Sequence, residues 1–220
     1  MVGSYLDPMV EIQVLYRDNG LLIVDKPAGI LVVPAPGRRG ETLADVLSHQ
    51  VGSQVMPVHR LDEDTTGAIV FALDDAVRVQ LEQMFREHSI EREYLALLAA
   101  APSPPAGRIE SSLAEGADGI VRVVTRGGQR AVTHYRTLDR RGRCCLVTCR
   151  LETGRRNQIR VHMAAMGCPI AGDRKYGFRS RAGETFVRPM LHSWRLDFVH
   201  PTSRARVVVE VPAPEPELQP

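Results

Sequence analysis

The stretch Val58-His-Arg-Leu-Asp-Glu-Asp-Thr-Thr-Gly67 stands directly before an apolar run, Ala68-Ile-Val-Phe-Ala72. The run is short and contains β-branched and aromatic residues, which predicts a β-strand. The residues before it include three consecutive carboxylates, Asp62 to Asp64, beside His59 and Arg60. A plain turn does not require so many charges, so this polar turn at the start of a strand is the candidate functional site.

Residue chemistry alone leaves several interpretations of the acidic turn open. It could be a solvated surface turn with no function. His59, Asp62 and Asp64 could bind a metal ion, although no other His/Asp/Glu cluster in the sequence supplies a convincing further ligand set. Two carboxylates could cleave a glycosidic bond, but adjacent residues in one turn poorly supply carboxyl groups on opposite sides of that bond.

The patterns on either side of the turn predict an α+β fold, with a mixed, mostly antiparallel β-sheet core and a few packed helices. Strands are expected at Ile12–Tyr16, Leu21–Val24, Ala68–Ala72, Tyr94–Leu98, Trp194–Val199 and Ala205–Val211, with shorter strands between Ile109 and Leu151. Helices are expected from Leu43 to about His49 behind the Thr42/Asp45 capping-box pattern, after the N-cap residue Asp74, and from Arg155 to Met166.

These elements predict one globular domain over residues 12–212. Residues 1–11 are expected to be an N-terminal extension. The tail from Pro212 to Pro220 contains four prolines, and we expect residues 213–220 to be disordered.

Composition narrows the class of protein. A hydrophobic content of 44% supports a substantial core, and the net charge is only +2. Lys26 and Lys175 are the only lysines, and the resulting bias toward arginine fits either a nucleic-acid partner or a GC-rich genome. We find no signal peptide and no apolar run long enough to cross a bilayer, so a cytoplasmic protein without membrane contact is expected. The four cysteines lack C-x-x-C spacing, which argues against a zinc ribbon.

His59-Arg-Leu-Asp62 followed by Asp64-Thr-Thr-Gly67 resembles the signature of the RluA-type pseudouridine synthases. The resemblance continues in order along residues 12–212, and its further blocks are Asp18–Gly29, Arg92–Tyr94, Leu151–His162, Gly172-Asp173 and Arg188–His192. It implies a catalytic domain over residues 12–212, in the form that lacks an N-terminal S4-like domain. The implied activity is the isomerisation of uridine to pseudouridine in structured RNA after base flipping.

The same resemblance implies roles for individual residues. Asp62 matches the nucleophile, Arg160 the arginine that pairs with it, Tyr94 the tyrosine that stacks on the base, and Leu191 the apolar residue that closes the pocket. The residues implied to contact RNA are Arg60, Lys26, Arg92, Arg156 and Asn157. Of these, Arg92, Arg156 and Asn157 depart from the residue types usual in the family, which puts RNA contacts in question more than chemistry.

Several of these residues also have a simpler interpretation. Lys26 could cap a turn, Tyr94 could be a core tyrosine, and His59 is expected to fix the loop that carries Asp62 rather than to act as a base. The expected partner is an rRNA or tRNA stem-loop, bound by a monomer that needs no cofactor and no metal. The loops at Gly37–Gly40 and Arg174–Arg188 are expected to select the substrate. A non-catalytic RNA-binding protein with the same fold is the competing hypothesis.

Overall fold

The computed structural model describes residues 11–180 and 185–219, which fall into two compact units. The first unit comprises the residues up to Glu91 together with Ser193–Pro212, and the second comprises Arg92–His192 together with the residues from Ala213 onward. Each unit combines antiparallel strands with packed helices, which confirms the predicted α+β class. No helix in the described part of the chain is long and apolar enough to cross a membrane.

The elements are numbered in chain order. The described strands are β1 (Val14–Arg17), β2 (Leu21–Lys26), β3 (Met56–Pro57), β4 (Thr66–Ala72), β5 (Glu91–Leu98), β6 (Ala106–Glu115), β7 (Val121–Val124), β8 (Gln129–Arg141), β9 (Cys144–Leu151), β10 (Leu191–Val199) and β11 (Arg206–Glu210). The α-helices are α1 (Leu43–Val51), α2 (Asp75–Arg86) and α3 (Gln158–Ala165), and 3-10 turns occur at Arg174–Tyr176 and Pro216–Leu218.

The first unit is arranged around β4, the strand that follows the acidic turn. Its strand order is β1-β2-β4-β10, with β3 also paired to β4 and β11 to β10. All seven residues of β4 are buried, as expected for a short apolar strand covered on both faces. β2 runs antiparallel to it, from the pair Leu21–Ala72 to the pair Lys26–Gly67. This register brings the end of β2 next to the start of β4, where the acidic turn lies.

The two helices of the first unit begin where the sequence predicts. The Asp45 N–H donates to the Thr42 hydroxyl, and the Thr42 N–H donates to the Asp45 carboxylate at 2.9 Å, so the capping box is formed. Asp74 caps α2 by accepting the Val77 N–H at 3.0 Å. Val77 and the buried Leu81 pack into the apolar core of this unit. Both predicted helix starts are confirmed.

The second unit has the strand order β5-β9-β8-β6-β7. Short strands were expected between Ile109 and Leu151; β7 has four residues, but β6, β8 and β9 are longer, with 10, 13 and 8 residues. α3 begins three residues later than predicted. Asn157 adopts the left-handed conformation with a φ of 53°, so the helical backbone starts only at Gln158. Val161 of α3 packs over Leu113, Val121 and Ala131 in a small apolar cluster.

The expected disorder of residues 213–220 is wrong for the described residues 213–219. Leu218 is 0% exposed, and Glu215 pairs with Arg188. Arg141 donates to the Pro216 carbonyl at 2.8 Å. One apolar anchor and two arginines therefore hold a segment whose proline content suggested disorder. Of the expected N-terminal extension, residues 1–11, all but Glu11 lie outside the described residues.

Candidate active site

The acidic turn is closed by its own backbone. The Thr65 N–H donates to the Asp62 carbonyl at 3.1 Å, which forms a four-residue turn. Leu61 is buried, Arg60 before it is exposed, and Asp62 after it is half-buried. This alternation is that of an extended segment with its apolar side chain in the core. The Asp62 carboxylate thus extends from a backbone that is fixed on both sides.

Lys26 binds the backbone of the acidic turn through its buried side chain. Its side chain is 0% exposed, and its ammonium donates to the carbonyls of Pro27, Glu63 and Thr65 at 2.9, 2.7 and 3.0 Å. The Gly29 N–H donates to the same Glu63 carbonyl at 3.0 Å. Burying an ammonium group is costly unless its donors are satisfied, and here the backbone of the turn supplies the acceptors. The loop that follows β2 therefore locks the turn that carries Asp62.

His59 holds the segment on the other side of the turn. Its Nε2 accepts the Val70 N–H at 3.1 Å, which places the ring proton on Nδ1 in the neutral form. The ring stacks on Phe85 of α2 with centroids 4.2 Å apart. The expectation that His59 fixes the loop is confirmed. Because its Nε2 lone pair already accepts a backbone proton, this nitrogen is not available as a metal ligand.

The loop between β2 and α1 also reaches the acidic turn. The guanidinium of Arg38 pairs with the Glu63 carboxylate, in a largely exposed position. Arg38 lies in one of the two loops expected to select the substrate. Glu63 is thus engaged by a side chain from this loop as well as through its carbonyl.

In the second unit, Arg92 and Tyr94 lie on the same face of β5, since they are two residues apart in a strand. Both are buried. A Cβ on Gly154 would lie 2.6 Å from Arg92 Nη1, so the guanidinium packs closely against the chain at this glycine. Burial lowers the pKa of Arg92, while the coulombic attraction of Tyr94 opposes that shift. Tyr94 pairs in register with Cys149 of β9, so the sheet fixes its backbone.

Arg160 lies on α3 and is 12% exposed. Asp173, which is 1% exposed, binds its guanidinium through two hydrogen bonds, Nε to Oδ2 at 2.7 Å and Nη2 to Oδ1 at 2.8 Å. The guanidinium lies 5.0 Å from the ring centroid of Tyr176. The Tyr176 hydroxyl accepts from Asn157 Nδ2 at 2.8 Å. Two-point binding and stacking fix both the direction and the plane of the guanidinium.

A buried polar network holds α3 on the sheet. Gln158 Nε2 donates to the Val132 carbonyl and to the Thr133 hydroxyl, each at 2.9 Å. The two ring nitrogens of His162 lie 2.9 Å from the hydroxyls of Thr133 and Ser111. Burial lowers the pKa of His162 to about 4, so the imidazole is neutral at pH 7. The helix that carries Arg160 is therefore held by neutral hydrogen bonds.

Leu191 is buried at the start of β10, and its carbonyl accepts from Arg188 Nη1 at 3.2 Å. It lies in the second unit with Tyr94 and Arg160, whereas Asp62 lies in the first unit. The pairing of Asp62 with Arg160 and the closure of a pocket by Leu191 stay predictions.

The five predicted RNA contacts divide by exposure. Arg60 and Arg156 are exposed, and Arg156 pairs with Glu115. Lys26, Arg92 and Asn157 are buried. Lys26 donates to carbonyls of the acidic turn, Asn157 donates to the Tyr176 hydroxyl, and the Arg92 guanidinium lies against Gly154. The RNA contacts of all five residues stay predictions.

Comparison with known proteins identifies the family. A sequence model described as RNA pseudouridylate synthase matches residues 20–165, which include the acidic turn, β5 and α3. The chain belongs to this family.

Two relatives and one solved structure illustrate the similarity. The ribosomal large subunit pseudouridine synthase D of Zymomonas mobilis is 36% identical over 224 residues, covering 94% of this chain and 70% of the relative. The RNA pseudouridine synthase YhcT of Bacillus subtilis is 37% identical over 220 residues, covering 96% and 72%. The structure of human RNA pseudouridylate synthase domain containing 4 has a TM-score of 0.77 at 26% identity, covering 92% of this chain and 89% of that one.

For an RNA pseudouridine synthase, the site contains two residues whose roles the sequence did not reveal. Asp173 is the carboxylate that binds Arg160, and the only signal for it was its place in the Gly172-Asp173 block. Lys26 holds the acidic turn, and its sequence signal, the Lys-Pro-x-Gly loop, fitted an RNA contact equally well. Among the described residues, no group of three or more His, Cys, Asp or Glu side chains is arranged to bind a metal ion.

Proposed function

We propose that this RNA pseudouridine synthase isomerises specific uridines in structured RNA, with Asp62 as the nucleophile. The reaction breaks the bond from C1′ to N1, turns the uracil, and joins C1′ to C5. The hydrogen on C5 leaves as a proton and N1 gains one, so the product is an isomer of the substrate. The observation that carries the proposal is the Asp62 turn, in which the carbonyls of Asp62, Glu63 and Thr65 accept hydrogen bonds while Asp62 is partly exposed. A carboxylate in such a position can serve as a nucleophile.

The remaining catalytic residues have complementary roles in this proposal. Arg160 supplies positive charge, which favours the ionised form of a carboxylate that would otherwise be disfavoured by loss of water. Tyr94 stacks on the flipped base and assists proton movement at C5, and Leu191 closes the pocket over it. Support comes from the geometry within the second unit, where a bidentate pair orients Arg160 and the β5–β9 ladder fixes Tyr94.

RNA binding is assigned to the exposed arginines. Arg60 is two residues from Asp62 and exposed, so its guanidinium can stack in the place of the flipped nucleotide or hold a neighbouring phosphate. Arg156 is the second exposed contact. Lys26, Arg92 and Asn157 are proposed to act indirectly, by holding the elements that carry the reacting groups.

Large-subunit rRNA is the proposed substrate class, since relatives such as the enzyme of Zymomonas mobilis are named for it. A tRNA stem-loop is the alternative outcome. The enzyme is proposed to act as a monomer in the cytoplasm. Mapping pseudouridines in total RNA with and without the gene identifies the target, and light scattering of the purified protein reports the oligomeric state.

Substituting Asp62 tests the nucleophile directly. We expect Asp62→Asn to lower pseudouridine formation by about 10³-fold or more, because removing a nucleophile removes the covalent step. Release of tritium from RNA labelled at C5 of uridine measures the reaction, since C5 loses its hydrogen only on isomerisation. Asp64→Asn is the matched control, a neighbouring and more exposed carboxylate that should retain activity. Full activity of Asp62→Asn contradicts the proposal, and an inactive wild-type protein favours the non-catalytic RNA-binding alternative.

A further inference from the structure

The C-terminal residues 213–219 lie against the segment that carries Leu191, within the second unit. The contact is made by Arg188, three residues before Leu191. Its Nε lies 2.9 Å from Glu215 Oε1, and its Nη2 lies 2.6 Å from both Glu215 carboxylate oxygens. The side chain of Arg188 is 8% exposed and that of Glu215 is 30% exposed, so the guanidinium is the buried partner of the pair.

The same guanidinium also holds the backbone around Leu191. Its Nη1 donates to the Pro189 carbonyl at 2.8 Å and to the Leu191 carbonyl at 3.2 Å. The planar guanidinium of Arg188 therefore joins the Glu215 carboxylate to the carbonyls of Pro189 and Leu191. The fixed fork of donors in arginine makes the position of one side depend on the other.

Backbone contacts with Gly172, Ala171 and Leu97 also hold the segment from Arg188 to Leu191. A Cβ on Gly172 would lie 1.9 Å from the Arg188 carbonyl oxygen, so the two backbones are in direct contact. The Met190 N–H donates to the Ala171 carbonyl at 2.9 Å, and the Leu97 N–H donates to the Met190 carbonyl at 3.0 Å. Backbone contacts thus fix Met190, while the carbonyls on either side of it are bound by the Arg188 side chain.

Residues 213–219 are themselves anchored independently of Arg188. Leu218 is fully buried, and Arg141 of β8 donates to the carbonyls of Pro216 and Gln219. Gln219 Nε2 donates back to the Ala213 carbonyl at 3.1 Å, which closes the segment on itself. Glu215 is therefore presented by a folded segment with its own attachment to the sheet.

We propose that residues 213–219 form a positioning strap, in which Glu215 acts through Arg188 to hold Leu191 in place over the target base. Glu215 is a positioning residue, and the inference rests on the proposed role of Leu191 in the synthase reaction. Without the Glu215 carboxylate, the buried guanidinium of Arg188 loses the hydrogen bonds at its Nε and Nη2 and can change its orientation. The carbonyls of Pro189 and Leu191 are then no longer held by a fixed guanidinium, although the Pro189 carbonyl keeps its hydrogen bond from the Leu191 N–H.

Glu215→Gln tests the strap with the full-length chain. We expect the single-turnover rate of pseudouridine formation to fall about tenfold, because a displacement well below 1 Å at a reacting site has effects of this size. The dissociation constant for RNA should change less than about twofold, since Glu215 is not an RNA contact. Glu215→Asp, which keeps the charge, should recover part of the rate. Asp118→Asn is the matched control, because it removes an exposed carboxylate that also binds both terminal nitrogens of an arginine.

A double-mutant cycle distinguishes positioning from a general loss of stability. If Glu215 acts through Leu191, then Glu215→Gln should have little further effect on the rate in a Leu191→Ala background. Additive effects, or a wild-type rate for Glu215→Gln, overturn the inference. An inactive wild-type protein instead overturns the proposed function. A chain shortened after Pro212 should show a larger loss of rate, and if it does not fold, the Glu215→Gln result decides.

Discussion

The turn that carries Asp62 and the helix that carries Arg160 are immobilised in different ways. The turn is held through its backbone, because Lys26 and Gly29 donate to its carbonyls. Arg160 is held through its side chain, by the carboxylate of Asp173 and the ring of Tyr176. The first arrangement fixes the backbone from which the Asp62 side chain extends. The second fixes the guanidinium at the end of the Arg160 side chain.

This difference matches the proposed chemistry. A nucleophile must form and break a bond at one position, so a rigidly held backbone next to its carboxylate favours the reaction. A charge that stabilises another charge acts best when it does not move during the reaction. The comparison also indicates which substitutions matter. Side chains around the Asp62 turn can change as long as Lys26 and Gly29 still donate to its carbonyls, whereas the orientation of Arg160 depends on the identity of its partners.

Removing the backbone clamp should have the largest effect. Lys26→Met leaves the Pro27 and Thr65 carbonyls without the donor that binds them, and a buried unsatisfied group costs about 1–3 kcal/mol. We expect a loss of about 2–4 kcal/mol in the free energy of unfolding, measured in urea, and a loss of activity of about 100-fold or more. Lys175→Met is the matched control, since the other lysine is exposed and donates to one carbonyl at 3.2 Å. Equal effects of the two substitutions would mean that Lys26 does not clamp the turn.

Asp173→Asn tests the side-chain arrangement. It keeps the shape but removes the charge and one acceptor from the pair with Arg160, and we expect a loss of about 1–3 kcal/mol in unfolding free energy. The rate of isomerisation should fall about 10- to 100-fold with a smaller change in RNA affinity. Asp118→Asn removes an exposed pair with Arg122 and should change neither quantity appreciably. An unchanged rate for Asp173→Asn would show that orientation of Arg160 does not limit catalysis.

The smallest expected effect is a loss of stability at acidic pH, caused by His162 in the polar network that holds α3. Burial lowers the pKa of His162 to about 4 in the folded protein, below its ordinary value of 6.5. The unfolded chain therefore binds more protons in this range, and stability should fall as pH drops from about 6.5 toward 4. We expect His162 to account for a loss of about 1 kcal/mol between pH 7 and pH 5.5, measured by urea unfolding.

A variant comparison isolates this residue. His162→Gln should flatten that part of the pH dependence, because glutamine does not titrate. His49→Gln is the control, as the side chain of His49 is 78% exposed, and it should leave the pH dependence as in the wild type. A wild-type slope in His162→Gln would assign the acid sensitivity to other groups.

Local patterns in the sequence predicted the helices that have local start signals. Thr42, Asp45 and Asp74 cap α1 and α2 through hydrogen bonds within three residues, so their effect can be read along the chain. α3 was predicted to start at Arg155 because nothing in the sequence announces the left-handed Asn157. Asn157 donates to Tyr176, nineteen residues away, and such a contact leaves no local pattern.

The candidate site shows the same division. Asp62 stood out because it is one of three consecutive carboxylates, and its role as the nucleophile stays a proposal. The buried position of Lys26 could not be predicted, since it depends on carbonyls 37 and 39 residues away. The attachment of residues 213–219 was missed for the same reason, because Glu215 meets Arg188 from 27 residues away.

The sequence by itself determined the α+β class, the family and the choice of Asp62 as the proposed nucleophile, because these depend on residue order and on short-range patterns. Only the tertiary structure decided what holds the reacting groups in place. Lys26, Asp173 and Glu215 are charged residues that composition suggests are on the surface, yet each binds a partner from a distant part of the chain. Folding determines which donors and acceptors meet, and burial decides that a charged group must find its partner inside the protein.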